Sequence, residues 1–172
     1  MTGSTSGVPA RARWVVEQLP IEPGHSVLEV GGSPGAAASL VCARLDTGRM
    51  LVVERSAVGA RRTIARNSEH VHAGRLEVQH TELADLEGHQ GRFDLAFSLN
   101  VNLFWTSPAT RELEVLRRVL RPGGLLVVAY GSEVPSGVDR PLQCAEQHLL
   151  AAGFEQVRRI DGDDAAAVSA WL

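Results

Sequence analysis

Six or seven short apolar runs recur along the chain and alternate with stretches whose apolar positions fall at helical spacing. Ser26–Val30, Arg49–Val53, Leu76–Gln79, Phe93–Leu99 and Leu125–Tyr130 read as strands. Between them, Gly35–Leu45 reads as a helix. Ser56 reads as the cap of a long helix running to about His72, with Ala57, Ile64 and Val71 facing inward. Ser107–Pro108 places a cap and a first-turn proline ahead of a helix carrying Leu113, Leu116 and Leu120, which stops at Pro122–Gly123–Gly124. Trp14, Val15 and Leu19 give Pro9–Leu19 helical spacing, and Pro141–Ala152 predicts the last helix. Phe154–Ile160 and Ala166–Leu172 are closing strands, with a turn at Gly162–Asp163.

Strands and helices alternating in this way predict an α/β fold: a doubly wound, mostly parallel seven-stranded sheet with helices on both faces. The last connection has no room for a crossover helix, so the final strand must run antiparallel. Leu125–Tyr130, the most hydrophobic run, belongs in the centre of the sheet, covered on both faces. Residues 1–8, rich in Gly, Ser and Thr, read as a flexible N-terminus, and 9–172 as a single domain.

Composition narrows the function classes. Hydrophobic residues at 44% and charged residues at 22% of 172 positions describe an ordinary globule. A net charge of -3, with arginines spread along the chain rather than striped, argues against a nucleic acid partner. Cys42 and Cys144 stand far apart with no metal-ligand spacing and read as reduced thiols of a cytoplasmic protein. MTGSTSG does not read as a signal peptide, and no apolar run is long enough to span a bilayer.

Three positions carry candidate chemistry. In VLEVGGSPG, residues 27–35, an apolar strand runs into a glycine-rich turn and then a helix, which suits either a plain turn or a loop holding a negatively charged group. Glu54, at the end of the second strand, is placed to accept ribose hydroxyls. Glu82, just past the third strand, is placed to accept from the exocyclic amine of adenine, or to serve the following turn as an N-terminal acid. A dinucleotide fingerprint needs Gly-x-Gly-x-x-Gly, which Gly31, Gly32 and Gly35 do not supply.

In order and spacing, these segments resemble the class I S-adenosylmethionine-dependent methyltransferases, small bacterial members included, from about Pro9 to the C-terminus. The family's acid-x-Gly-x-Gly-x-Gly loop is matched by Glu29, Gly31, Ser33 and Gly35, and its second-strand acid by Glu54. The acid and adenine-contacting residue after the third strand are matched by Glu82 and Leu83, and the fourth-strand motif by FDLAFSLNVN at 93–102. LRPGG at 120–124 and AAGF at 151–154 match the approaches to the fifth and sixth strands. The resemblance implies a Rossmann-like methyltransferase fold and S-adenosyl-L-methionine as cofactor. It would be held by these residues together with Gly32, Arg55 and Asn100. One departure is Ser33, which stands where the middle glycine is usual and brings a Cβ and hydroxyl toward the methionine part of the cofactor.

The implied activity is methyl transfer to a small-molecule acceptor by in-line displacement. The same fold without methylation, as a cyclase, isomerase or non-catalytic partner subunit, is the alternative. Alignment and a dry pocket supply most of such catalysis, and a base is needed only where the acceptor must lose a proton. The acceptor side lies beyond strands four and five. Asn102 and Tyr130 are candidates to orient the acceptor, and Glu133 is the candidate base, with loop-satisfying or solvated roles as the other reading. Trp105 suits either an apolar wall or core packing. His80 is the histidine nearest the adenine side, and no histidine pair has metal-ligand spacing. Arg11, Arg13 and Trp14 suit either a lid or a packed helix, and a pocket without a cap domain could be completed by a homodimer.

Overall fold

The computed structural model describes residues 7–131 and 137–172. Seven strands, β1 (Ser26–Val30), β2 (Arg49–Val53), β3 (Leu76–Gln79), β4 (Phe93–Leu99), β5 (Leu120–Gly131), β6 (Glu155–Ile160) and β7 (Ala165–Trp171), form one sheet in the order β3-β2-β1-β4-β5-β7-β6. The first five run parallel. β7 inserts between β5 and β6 antiparallel to both, as the short final connection requires.

The helices are α1 (Ala10–Gln18), α2 (Ala36–Cys42), α3 (Ala57–Arg66), α4 (Ser68–His72), α5 (Leu103–Thr106), α6 (Thr110–Val119) and α7 (Asp139–Ala151), with a 3-10 turn at Leu83–Asp85. Strand alternation sends neighbouring residues to opposite faces. In β5, Leu126, Val128 and Tyr130 pack with α6 and α7, whereas Leu125, Val127 and Ala129 pack with α1 and α2. β5 is thus covered on both sides, as its unbroken hydrophobic run predicts. α1 lays Ala12, Val15 and Val16 into the α2 side of the core, and Trp14 packs over Gly162 of the last hairpin. The packed-helix reading of this segment, not the lid, describes α1.

Three sequence expectations are corrected. The long helix predicted from Ser56 to His72 is interrupted at Asn67, and its inward face is Gly59, Ala60 and Thr63. Ile64 is 40% exposed, while Ala57 and Val71 are only half-buried. The reason lies in the loop opposite, which demands small and polar neighbours rather than an apolar stripe. Ser107 does not cap α6: Ala109, in the left-handed region at φ 48°, precedes that helix, and the Ser107 hydroxyl donates to the Leu103 carbonyl behind it. Leu120 leaves the helix in extended conformation and pairs with Phe93 as the first residue of β5. The following RPGG segment bulges from the ladder, and the C-terminus pins it: Gly123 N–H donates to the Leu172 carbonyl at 2.8 Å, and Leu172 N–H donates to Gly124 at 3.0 Å.

The two faces predict unequal costs for leucine truncation. Leu126, fully buried in the central strand, should lose about 2–5 kcal/mol of unfolding free energy as Leu126→Ala. Leu150, 54% exposed, should lose no more than about 0.5 kcal/mol as Leu150→Ala. Urea denaturation of the two variants measures both, and similar losses would contradict this assignment of the core.

Candidate active site

The site forms where β1, β2 and β4 end and the chain turns out of the sheet. Gly31 takes φ 72° and Gly35 φ 83°, both costly for residues with a Cβ. Gly32 is required by space instead. A Cβ there would meet Val52 Cγ1 at 2.6 Å and the Glu29 carboxyl at 2.9 Å, so the turn lies flat on the ends of β1 and β2. From the other side α3 braces it. Asn67 donates through Nδ2 to the Gly35 carbonyl at 3.0 Å, and Thr63 Oγ1 donates to the Gly32 carbonyl at 3.3 Å. Sequence reading missed Thr63 and Asn67. Their signal was a pair of polar residues four apart, where an amphipathic helix would bury apolar ones.

Glu54 closes the turn. Its carboxylate accepts from the Ser33 N–H at 3.3 Å and from the Ser56 N–H at 2.8 Å. Gly59 leaves it room: a Cβ there would stand 2.9 Å from the Glu54 carboxyl carbon and 3.1 Å from the Ser33 Cβ. Ser33 itself is exposed, so its side chain burdens no packing in the turn.

Beyond this turn opens a cavity of about 360 Å³. It brings together Gly31, Glu54, Arg55, Glu82, Leu83, Asn100 and Asn102, which the sequence had singled out from four separate stretches. Thr81, Thr106 and Glu112 line it too and were not foreseen. Glu82 stands immediately before the 3-10 turn, but its side chain makes no capping hydrogen bond there. Leu83 is buried against the core.

Asn100 adopts φ 59° and ties two strands: its N–H donates to the Ala129 carbonyl at 2.9 Å, and its Oδ1 accepts from the Gly131 N–H at 2.7 Å. The loop-satisfying role expected for its amide is therefore present, on the cavity wall. Asn102 Oδ1 accepts from Trp105 Nε1 at 3.3 Å. Trp105 packs on the core and does not line the cavity.

Other candidates sit elsewhere. Tyr130 is buried and donates its hydroxyl to the Val101 carbonyl at 3.0 Å, away from the cavity lining, with burial pushing its phenol well up from the usual range. Ser33 and Gly35 form the turn rather than the cavity wall, and Gly32 lies beneath it. Glu133 lies outside the described residues. His80 is exposed, with Nε2 against the Arg55 carbonyl at 3.1 Å. Among the described residues no cluster of His, Cys, Asp and Glu suits a metal ion. Cys42 and Cys144 are both free thiols.

Glu29 is the anomaly beneath the turn. It is 3% exposed, and its Oε2 has no hydrogen-bond partner. Burial first, and the nearby Glu54 carboxylate second, push its carboxyl up to about 8. The folded protein therefore keeps a proton that the unfolded chain releases above its ordinary value of 4.5, so stability falls as pH rises from about 4.5 to about 8. Glu29→Gln, neutral at every pH, should remove this slope. Its thermal midpoint relative to the unsubstituted protein should be higher near pH ~8 than near pH ~5, and an equal difference at both would assign the proton elsewhere.

Comparisons with known proteins bear on the family and the fold. Residues 27–124 match the family model described as a methyltransferase domain. Among solved structures, a SAM-dependent methyltransferase from Aquifex aeolicus superposes with a TM-score of 0.77 at 18% identity, covering 93% of this chain and 88% of that one. A putative S-adenosyl-L-methionine-dependent methyltransferase from Methanococcus maripaludis gives 0.76 at 14% identity, covering 92% and 82%. A cyclase, SpnF, shares the fold with a TM-score of 0.73 at 17% identity, covering 93% and 79%. No curated protein matches by sequence. Since the family model spans more than half of its residues, this chain belongs to the methyltransferase domain family.

Proposed function

We propose that the chain transfers a methyl group to a small-molecule acceptor by in-line displacement, with the cofactor in the cavity at the ends of β1, β2 and β4. The observation that carries this reading is the union, in one cavity, of the Gly31 turn, the Glu54 carboxylate and Glu82. Those features fit S-adenosylmethionine. A volume of about 360 Å³ falls within the range of small-ligand sites. A Cβ at Gly31 would meet Val101 Cγ2 at 2.6 Å, so the turn and the wall opposite already approach as closely as glycine allows. Carboxylates line the cavity from several elements, which suits a ligand bearing a sulfonium and an ammonium.

When bound, the cofactor supplies an electrophilic methyl group. The chain's own residues bind and align. Glu54 accepts the ribose hydroxyls while keeping its two backbone donors, because a carboxylate has about four acceptor sites. Glu82 accepts from the exocyclic amine and Leu83 covers the base. Gly31, Gly32, Ser33 and Gly35 set the turn that faces the methionine portion, with Glu29 beneath it. Arg55 would help hold the cofactor from the Glu54 side, and Asn100 supports the wall opposite.

On the acceptor side, Asn102 orients the acceptor through the amide nitrogen that its bond to Trp105 leaves available. Tyr130 acts by fixing the Val101 carbonyl and hence this loop. Glu133 remains the candidate proton acceptor on chemical grounds. None of the helices among the described residues is long and apolar enough to cross a membrane. A second copy of the chain is the proposed means of closing the acceptor pocket.

Isothermal titration with S-adenosylmethionine and S-adenosylhomocysteine tests the cofactor assignment. Glu54→Ala should weaken both by about 1.5–3 kcal/mol, a factor of roughly ten to a hundred. Its thermal midpoint without ligand should be followed alongside. Unchanged affinity would remove Glu54 from the site. Methyl transfer further requires S-adenosylhomocysteine to accumulate in step with methylated product, and product without it would favour the cyclase reading.

A further inference from the structure

Glu112 is a cavity-lining carboxylate with no assigned task. It stands in the first turn of α6, half-buried, while the adjacent Arg111 pairs with Asp85 across to the 3-10 turn at 3.6 Å. The Glu112 side chain has no hydrogen bond or ion pair to any described residue. α6 packs on the Leu83–Asp85 turn, which Glu82 immediately precedes. Two carboxylates therefore line one cavity from two elements packed against each other. Thr81 and Thr106 share the wall, and Arg55 is the one cationic side chain on it among the described residues.

An ionised carboxylate only accepts hydrogen bonds, so this part of the wall is complementary to a ligand edge rich in N–H. A purine with an exocyclic amine offers two such hydrogens on one nitrogen, and a single carboxylate uses one of them. We propose that Glu112 is a specificity-determining residue for the cofactor's base: Glu82 and Glu112 each accept one hydrogen of the exocyclic amine, so the site takes a 6-amino purine and rejects a 6-oxo purine. The inference rests on the assignment of this cavity to S-adenosylmethionine. A different role would follow from position alone, since an acid in the first helical turn stabilises the helix whatever the ligand. The two roles separate by the choice of ligand.

The test is titration of the unsubstituted protein, Glu112→Gln and Glu112→Ala with S-adenosylhomocysteine and with S-inosylhomocysteine, its 6-oxo counterpart. The unsubstituted protein should favour the adenosyl compound by roughly a hundredfold or more, because a 6-oxo group would face two acceptors. In Glu112→Gln the amide can donate to the 6-oxo group, so the preference should narrow by about tenfold or more, through weaker adenosyl and stronger inosyl binding. Glu112→Ala should lose about tenfold in adenosyl affinity with no loss for the inosyl compound. A helix-stabilising role would lower the thermal midpoint of both variants and leave the preference unchanged, and that result overturns the inference while the cofactor assignment stands. Failure of the unsubstituted protein to bind either compound would instead overturn the cofactor assignment and the inference with it.

Discussion

The turn from Gly31 to Gly35 lies against the sheet ends so closely that its neighbours, rather than its own sequence, decide what it can be. Val52 and Glu29 occupy the space a Gly32 side chain would need, and Asn67 stands 2.5 Å from where a Gly35 Cβ would be. Gly32 and Gly35 are buried in this turn, so their backbone carbonyls must be satisfied locally. Asn67 and Thr63 supply that from α3, and the price is a helix that turns polar side chains inward and breaks at Asn67. Gly59 follows from the same crowding, since only hydrogen fits beside the Glu54 carboxyl. The Glu54 carboxylate on the cavity wall is thereby oriented by two backbone N–H donors.

The opposite wall is fixed by a second set of bonds that also begins in the sheet. β5 is held along its length by β4 on one edge and β7 on the other, making it the most firmly paired strand of the fold. Asn100 hooks the loop after β4 to Ala129 and Gly131 of β5, and Tyr130 reaches from β5 to the Val101 carbonyl. The cavity thus lies between a turn braced by α3 and a loop braced by β5. Neither wall depends on the N-terminal helix, which spends its apolar face on α2 and β7. A site between two such supports is largely preformed, which limits the ordering cost a ligand must meet.

The fold was legible because its signals are local. The central strands carry short apolar runs, α1 and α6 bury apolar residues at helical spacing, and the missing crossover before Ala165–Trp171 forces an antiparallel strand. Glu54 and Glu82 were legible for a related reason: residues just past parallel strands must emerge on one edge of the sheet, whatever the details of packing. What escaped depends on contacts between distant segments. Asn67 reads as one more polar residue on a helix until the glycine turn is placed beside it. Ile64 and Ser107 were misplaced by patterns that tertiary packing overrode. Glu112 gave no sequence signal at all, because only the docking of α6 on the Leu83–Asp85 turn brings it to the cavity.

Charge in this region has a consistent distribution. Glu54, Glu82 and Glu112 border the cavity, where water or a ligand can solvate them, whereas Glu29 is sealed beneath the turn with an orphan oxygen. An ionised Glu29 would place a second negative charge near Glu54 with no donor on its Oε2 to offset it, and desolvation alone makes that state expensive. Holding the proton on Glu29 removes the repulsion and lets the turn sit flat. A cationic ligand in the cavity changes the balance. By drawing on the same field that opposes ionisation of Glu29, it should favour release of that proton, so ligand affinity and the protonation of Glu29 are thermodynamically linked in both directions.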